Sequence, residues 1–177
     1  IYNTHKQSGL VMTRFVRVTN LVKQGFLHLA EVEVYEDGKN VARSGKVSQS
    51  STGFNGPAKL AIDGNTDGDY AKMSVTHTNQ EDNPWLEIDL GSPRKVDLIK
   101  IHNRTDGGTA NRIKEFQIVS LDEKREPNWV QRVKKTPNPD HVVSVPVSFE
   151  SFSPEQTRAI AQYKTEADPK ELTVAQK

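Results

Sequence analysis

A loop near the middle of the chain carries oxygen-bearing side chains at alternating positions. Residues 63–68 (DGNTDG) match the first half of a calcium loop of the EF-hand type, with a glycine at the sixth position. The twelfth position is Ser74 where an EF-hand has a bidentate glutamate, and neither flank has a helical pattern. We therefore do not expect an EF-hand. Because Asn, Asp and Gly also dominate ordinary turns, a calcium loop of another kind and a metal-free turn both remain open.

The sequence contains no combination of residues typical of an enzyme active site. Its 5 histidines are scattered without the HExxH or HxH spacing of a zinc site, and it has no cysteine to act as a nucleophile or zinc ligand. The glycine-rich phosphate motifs and the GxSxG nucleophile motif are also absent from the sequence. We therefore predict a non-catalytic domain.

The composition limits the partners that the chain can have. With 177 residues, 34% of them hydrophobic, it has room for one domain of ordinary size plus a tail. Its 24 basic and 23 acidic residues leave a net charge of +1, so it lacks the broad positive field that attracts nucleic acid. No segment approaches the roughly 18 consecutive apolar residues of a membrane span. We expect no nucleic-acid partner and no membrane span.

The elements that must position any site are predicted to be strands. Short segments with β-branched or aromatic residues at alternating positions are bounded by Gly, Pro, Asn or Asp, and no amphipathic helix of three turns interrupts them. The predicted strands are 13–20, 27–35, 85–91, 95–103, 116–122, 128–133 and 141–149. This pattern is typical of an all-β fold, an antiparallel β-sandwich of the jelly-roll type.

Two other segments differ from the strands. Residues 48–84 are rich in Ser, Thr, Gly, Asn and Asp and predict a long ordered loop, and loops of that length usually bind something. A short C-terminal helix is predicted after Ser153, with Pro154 in its first turn and Gln156 reaching back to the cap. The predicted organisation is an N-terminal extension (1–12), the sandwich (13–152), and the helix with a polar linker or tail (153–177).

Four motifs in order resemble the discoidin or coagulation-factor C-type domain superfamily, a galactose-binding-like fold. They are AIDGNTDGDY, SVTHT, NPWLEIDLG and IHNRTDGG, and the resemblance covers residues 13–149. The sequence is most similar to the F-type, fucose-binding lectins. Those lectins share a histidine, then twenty-six residues, Arg-x-Asp, four residues and a basic side chain; His77, Arg104 and Asp106 match, but five residues separate Asp106 from Arg112.

The resemblance implies a structural calcium ion. Its ligands would be the Asp63 side chain, the carbonyls of Asn65 and Leu60, Ser74, and Glu31 from a strand. Such an ion would tie the polar loop to a rigid strand and hold the neighbouring sugar-binding histidine in place. This implication makes the calcium loop the more specific interpretation of residues 63–68.

The resemblance also implies a sugar site. A neutral sugar needs fixed hydrogen-bond donors and an apolar wall rather than a large net charge. His77, Arg104 and Arg112 would contact the sugar hydroxyls, since the planar fork of arginine can bridge two neighbouring oxygens. Asp106 would orient the Arg104 guanidinium. Tyr70 stands where the lectins have an aromatic residue beside the sugar and is our candidate for the apolar wall.

Two departures from the lectins have structural consequences. The strand LHLAEVEV precedes the segment VARSGKVSQSS instead of ending the domain, so the chain resembles a circularly permuted lectin. Such a change is compatible with the fold because domain termini are often close together. In addition, Gly107 and Gly108 replace an adjacent cysteine pair that packs against the sugar in many F-type lectins. We expect that contact to be lost and the loop before Arg112 to be more mobile.

Two functions of different classes are compatible with these observations. The first is a calcium-stabilised carbohydrate-binding module for a fucose- or galactose-like sugar within a glycan or polysaccharide. The alternative is a non-catalytic spacer or interaction domain without retained sugar binding, which the Gly107–Gly108 pair favours. Because the chain begins with Ile1, we expect it in both cases to belong to a larger multidomain protein, located outside the cell, in the periplasm or at the cell surface.

Overall fold

A computed structural model describes residues 9–167 as two antiparallel sheets and one helix. The strands are β1 (Thr13–Asn20), β2 (Leu29–Glu36), β3 (Lys39–Asn40), β4 (Lys46–Gln49), β5 (Trp85–Arg94), β6 (Leu98–Asn103), β7 (Phe116–Leu121), β8 (Pro127–Val133) and β9 (Asp140–Ser144), and the helix is α1 (Pro154–Glu166). One sheet has the order β4-β5-β1-β7-β8 and the other β3-β2-β6-β9. The predicted all-β sandwich with a short C-terminal helix is confirmed.

The core lies between the sheets because apolar residues alternate along the strands. Val16 and Val18 of β1 face Val32 and Val34 of β2 across a common cluster in which all four side chains are fully buried. Glu33 between the two valines of β2 lies on the outer face and is only partly buried. The alternation of apolar and polar residues in the sequence therefore predicts which side chains face the core.

The helix begins where the capping signal predicts. The Ser153 hydroxyl accepts a hydrogen bond from the Gln156 amide at 3.2 Å, and the Gln156 side chain accepts one from the Ser153 amide at 2.9 Å, with Pro154 in the first turn. Tyr163 of this helix packs onto a second apolar cluster on the outer face of the five-stranded sheet, together with Phe15. The polar tail predicted after the helix lies outside the described residues.

Some strands differ from the prediction in extent or were not predicted at all. Strand β9 ends at Ser144, although the pattern extends to residue 149, because Pro146 has no amide hydrogen to continue the ladder. Strands β3 and β4 have two and four residues and polar sequences (KN and KVSQ), so they carry no strong pattern. Both lie at sheet edges, where short polar strands are common.

The two ends of the sandwich region meet in space. The Val11 amide donates to the Val147 carbonyl at 2.9 Å, and Leu10 forms a bridge with Ser148. The second junction lies between the strand LHLAEVEV and the segment VARSGKVSQSS, which would be the two ends of an unpermuted domain. There a tight turn through Asp37 and Gly38, both with positive φ, joins β2 to β3. These short connections support the circular permutation, which stays a prediction. No helix among residues 9–167 is long and apolar enough to cross a membrane.

Candidate functional site

A threonine ladder positions His77 beside the start of β2. The Thr76 amide donates to the Leu29 carbonyl and the Leu29 amide to the Thr76 hydroxyl, at 2.9 and 3.0 Å. Thr78 and Leu27 repeat the same pair of hydrogen bonds at 3.0 and 2.9 Å. His77 is thus held on both sides by backbone pairing, and it is buried with 2% of its surface exposed.

The geometry of His77 fixes which ring nitrogen is available to a ligand. Its Nδ1 lies 2.8 Å from the Thr78 carbonyl, and because a carbonyl can only accept, Nδ1 carries the hydrogen. In the neutral ring Nε2 is then an acceptor. Burial lowers the pKa of His77, and the positive charges of Arg104 and Arg112 lower it further, so the ring is neutral near pH 7.

Arg104 follows the end of β6 and is fixed from two directions. Its Nε and Nη2 atoms each donate to one Asp106 oxygen at 2.7 Å, a two-pronged ion pair. Its guanidinium carbon lies 4.4 Å from the centre of the Tyr70 ring. The Tyr70 amide also donates to Asp106 at 3.0 Å, and the ion pair keeps the pKa of Asp106 well below its usual range. The guanidinium is therefore oriented before any ligand arrives.

Arg112 is held much less firmly. Its guanidinium lies 5.2 Å from the centre of the Phe26 ring and, within residues 9–167, forms no ion pair. Gly107 and Gly108, which precede it, both adopt positive φ (60° and 68°), a conformation that strongly favours glycine. The Phe26 ring that Arg112 contacts has its centre 5.1 Å from that of His77, so Arg112 approaches the histidine from an exposed loop.

Aromatic rings surround His77. The Phe54 ring centre lies 4.6 Å away, that of Phe26 5.1 Å and that of Tyr70 6.1 Å. Phe54 is 58% exposed and has a φ of 51°, which is unusual for a bulky residue. The Tyr70 hydroxyl donates a hydrogen bond to the Phe54 carbonyl and holds this strained turn. Exposed strain of this kind is concentrated at binding sites.

His28 forms the floor beneath His77. It is fully buried, its ring centre lies 5.5 Å from that of His77, and neither ring nitrogen has a hydrogen-bond partner among the described residues. Burial lowers the pKa of His28 to about 3, so the ring is neutral. It therefore packs behind the site as a neutral ring, where a charged side chain would be costly.

The residues of the predicted calcium site lie around Glu31. This carboxylate is fully buried; one oxygen accepts from the Gly64 amide at 3.1 Å, while Oε2 is buried without any partner among the described residues. Burial raises the pKa of Glu31 to about 7, and the nearby Asp63 charge raises it as well. A buried carboxylate oxygen without a donor fits a position beside a cation.

Most other side-chain oxygens of this loop accept hydrogen bonds from the backbone of the loop itself. Asp63, Asn65, Asp67 and Asp69 each accept a hydrogen bond from the amide two residues later, at 2.8 to 3.1 Å. Ser74 is buried and donates to the Asp67 and Asp69 carbonyls at 2.5 and 3.0 Å. Any cation here would depend on carbonyl oxygens, since no cluster of three or more His, Asp or Glu side chains that could hold a metal exists in the part of the chain that is described.

The predicted residues therefore form two neighbouring groups. The structure brings His77, Arg104 and Arg112 to one space, with Asp106 and Tyr70 next to Arg104. Glu31 of β2 lies near Asp63 of the adjoining loop, and Ser74 contacts the Asp67 and Asp69 carbonyls of the same loop. Leu60 lies in a short 3-10 helix (Ala58–Ile62) that is capped by Asp63. Asn65 takes part in the turn through its side chain, which is exposed.

Sequence reasoning missed the aromatic wall formed by Phe26 and Phe54. Phe26 precedes a strand and Phe54 lies in the segment STGFNG, and neither belongs to a motif. The available signal was a bulky aromatic flanked by Gly and Asn within a polar loop, where no core is expected. Tyr70 lies under Arg104 and supports it, in addition to facing the histidine.

Comparisons with known proteins relate this chain to galactose-binding-like domains and lectins. A family model described as a NedA-like, galactose-binding domain matches residues 60–158. Fucolectin-5 from Anguilla japonica is 40% identical over 73 residues, which are 38% of this chain and 39% of the relative. The pentraxin fusion protein from Xenopus laevis is 38% identical over 69 residues, 38% of this chain and 17% of that protein. The chain thus spans well under half the length of these curated relatives.

Two solved structures share the fold. The lectin domain of lectinolysin, in complex with Lewis B antigen, has a TM-score of 0.61 and 40% identity over 64% of this chain and 81% of that domain. A fucose-binding module from Streptococcus pneumoniae has a TM-score of 0.60 and 33% identity with the same coverage. These relatives are lectins and binding modules rather than enzymes, which confirms the predicted non-catalytic class and the F-type lectin relationship. The chain belongs to the NedA-like, galactose-binding domain family.

Proposed function

We propose that this domain binds a fucose-type sugar at the end of a glycan, through His77, Arg104 and Arg112. The observation that carries the proposal is the oriented Arg104 guanidinium beside a neutral, buried His77, on a wall of aromatic rings. A two-pronged ion pair uses only part of the guanidinium, so its remaining N–H groups can donate to sugar hydroxyls. The names of the lectin and fucose-binding relatives support the same class of ligand.

Each group in the site has a distinct role in this proposal. Arg104 donates to two neighbouring hydroxyls, and the Nε2 atom of His77 accepts from one of them. Phe54 and Phe26 offer apolar surface to the ring carbons of the sugar and to its methyl group. The methyl group distinguishes fucose from more polar hexoses. Arg112 adds a donor from the opposite side. Since the anchored groups are fixed before binding, little side-chain freedom is lost when the sugar binds.

A structural calcium ion is the second part of the proposal. Glu31, Asp63 and Ser74 would hold it together with the Leu60 and Asn65 carbonyls, and the orphaned Oε2 atom of Glu31 supports this assignment. When bound, calcium would supply a positive charge that links β2 to the polar loop. The chain's own residues then connect this region to the sugar site, because Ser74 begins the segment that carries His77.

The calcium assignment is tested by thermal unfolding with and without a chelator. A ligand that binds only the native state must raise the melting temperature. We expect calcium to raise it by several degrees in the unmodified chain and to have little effect in Glu31→Gln, which keeps the shape but removes the charge. An equal response of the two proteins, or none in either, would exclude the site.

The sugar assignment is tested on an array of fucosylated and non-fucosylated glycans. We expect binding to glycans with terminal fucose, competition by free L-fucose, and loss of both in His77→Ala. Lys124→Gln is the matched control, since Lys124 lies beyond the far end of β7 and is exposed. Lack of binding to every glycan by a folded protein would reject the proposal and leave the spacer alternative, which the Gly107–Gly108 pair favours.

The cellular setting is part of the same proposal. A glycan-binding domain meets its ligand outside the cell or at a cell surface, and the lectins among its relatives suggest that setting for this chain. The pentraxin fusion relative supports a role as one domain of a larger protein. Detection of the parent protein in a secreted or surface fraction would test both points.

A further inference from the structure

A groove of about 470 Å³ lies next to the proposed sugar site, and Arg112 and Phe26, which contact each other, both line it. One wall is the turn 21–26 and the other is the segment 111–115. Its surface combines apolar side chains, Leu21, Val22 and Phe26, with charged ones. The groove shares Arg112 with the sugar site, so a chain of sugars that begins at His77 can continue into it.

The two walls are tied together at their base. The Asn20 side chain is buried and donates to both the Phe26 carbonyl at 2.8 Å and the Arg112 carbonyl at 3.1 Å. The Leu21 amide donates to the Glu115 carbonyl at 2.9 Å. Because these hydrogen bonds fix the separation of the walls, the groove exists before any ligand binds.

The charges of the groove are unbalanced. Arg112 and Lys114 are both exposed, and neither forms an ion pair with any residue between 9 and 167. The acid on the same wall, Glu115, is neutralised by Arg132, whose Nε lies 2.6 Å from a Glu115 oxygen. Two unpaired cations of the described chain therefore stand on one wall, two residues apart.

A second acidic side chain, Asp82 near the rim of the groove, also has hydrogen-bond partners. Asp82 accepts hydrogen bonds from the backbone and side chain of Gln24 at 2.8 and 3.0 Å, which together lower its pKa, and Lys23 lies close enough to lower it further. Asp82 therefore keeps its negative charge, and the nearby Lys23 supplies a positive charge to balance it. Arg112 and Lys114 remain the uncompensated charges of the groove, although the chain as a whole is nearly neutral.

We propose that this groove receives a sugar with a carboxylate, adjoining the fucose-type residue of the same glycan. The planar Arg112 fork matches a carboxylate, Lys114 adds a second charge, and the apolar floor suits the carbon face of a pyranose ring. The inference rests on the proposed function, because the first sugar must be bound for the second to reach the groove.

The experiment compares three related glycans with the full 177-residue chain by surface plasmon resonance. The probes are Lewis x, which is neutral, sialyl-Lewis x, which adds a carboxylate, and a sulfated Lewis x. We expect sialyl-Lewis x to bind about tenfold more tightly than Lewis x, and the gain to shrink at high salt because the charges are exposed. Lys114→Gln should abolish the gain without changing Lewis x affinity, whereas the control Lys124→Gln should leave both unchanged.

The outcomes separate this inference from the one on which it rests. Three results would overturn the groove assignment and leave the fucose site standing. They are equal affinity for Lewis x and sialyl-Lewis x, a gain in affinity from the sulfate only, and a gain from the carboxylate that persists in Lys114→Gln. Failure of all three probes to bind would overturn the groove assignment, and it would overturn the fucose site as well if no glycan of the array bound. A carboxylate gain lost in Lys114→Gln alone would establish the groove.

Discussion

The proposed sugar site has two halves that are built differently. The anchored half consists of His77, Arg104 and Asp106, in which a buried ring is held by a backbone ladder and a guanidinium by a two-pronged ion pair. The exposed half consists of Arg112 and the loop 107–112, which rests on one aromatic contact and two glycines of positive φ. If the proposed function holds, we expect affinity and orientation to come from the anchored half, and the exposed half to adjust to the second sugar of the glycan.

Removal of the Arg104 side chain should have the largest effect on binding. Arg104→Ala deletes two charge-assisted hydrogen bonds to the sugar, and we expect about a 100-fold weaker affinity for a fucosylated glycan. Arg104→Lys keeps the charge but not the fork, and should recover little of that loss. Calorimetric titration measures the affinity, and circular dichroism checks the fold. Near-complete rescue by lysine would show that charge alone is used.

Removal of the Arg112 side chain should have a smaller effect. We expect Arg112→Ala to weaken binding of the same glycan by about tenfold, because the side chain is exposed and loses more freedom when it binds. The same titration gives the comparison directly. A loss as large as that of Arg104→Ala would mean that the two halves contribute equally.

The pH profile tests the state of the histidine in the anchored half. Burial and the two arginines lower the pKa of His77, so its Nε2 atom stays an acceptor down to a pH below the ordinary histidine value. In saturating calcium, which would keep Glu31 ionised although burial raises its pKa to about 7, affinity should be constant from about pH 8 to pH 6.5 and weaken only at lower pH, when the His77 ring gains a proton. A decline that begins above pH 6.5 would show that the pKa of His77 is not lowered.

The glycines of the exposed half should give the smallest effect. Gly108 has a φ of 68° and nothing within 4 Å of an added Cβ, so Gly108→Ala introduces backbone strain without a clash. We expect a loss of about 1 kcal/mol in the free energy of unfolding and only a few-fold change in affinity. Gly108→Asn is the control, because asparagine tolerates this conformation better. Urea unfolding measures the difference, and equal stability of all three proteins would contradict it.

The sandwich was predictable because its strands alternate in polarity. In the segments 13–20 and 116–122, the pairs Val16–Val18 and Phe116–Ile118 stand two residues apart and point into the common core, and the structure places strands there. Strands β3 and β4 could not be predicted, since they are polar and their formation depends on a neighbouring strand. The helix was predictable from three residues, because its capping box is a local interaction.

The site was only partly predictable. The anchored half was predicted from the resemblance to F-type lectins, whose histidine and Arg-x-Asp pattern is matched by His77, Arg104 and Asp106. The roles of Phe54 and the groove beside Arg112 depend on how distant loops approach one another, and no local pattern encodes that. The buried, unpaired oxygen of Glu31 is likewise visible only once β2 and the polar loop are seen together.

The most direct test of sugar binding by the anchored half is a titration of methyl α-L-fucoside followed by ¹⁵N nuclear magnetic resonance. We predict saturable shifts of the Arg104 Nε and His77 Nε2 signals with one common dissociation constant, and none at the distant control Lys124. If the sugar leaves the Arg104 and His77 signals unchanged up to the highest concentration used, in a folded and calcium-supplied protein, the central claim is contradicted.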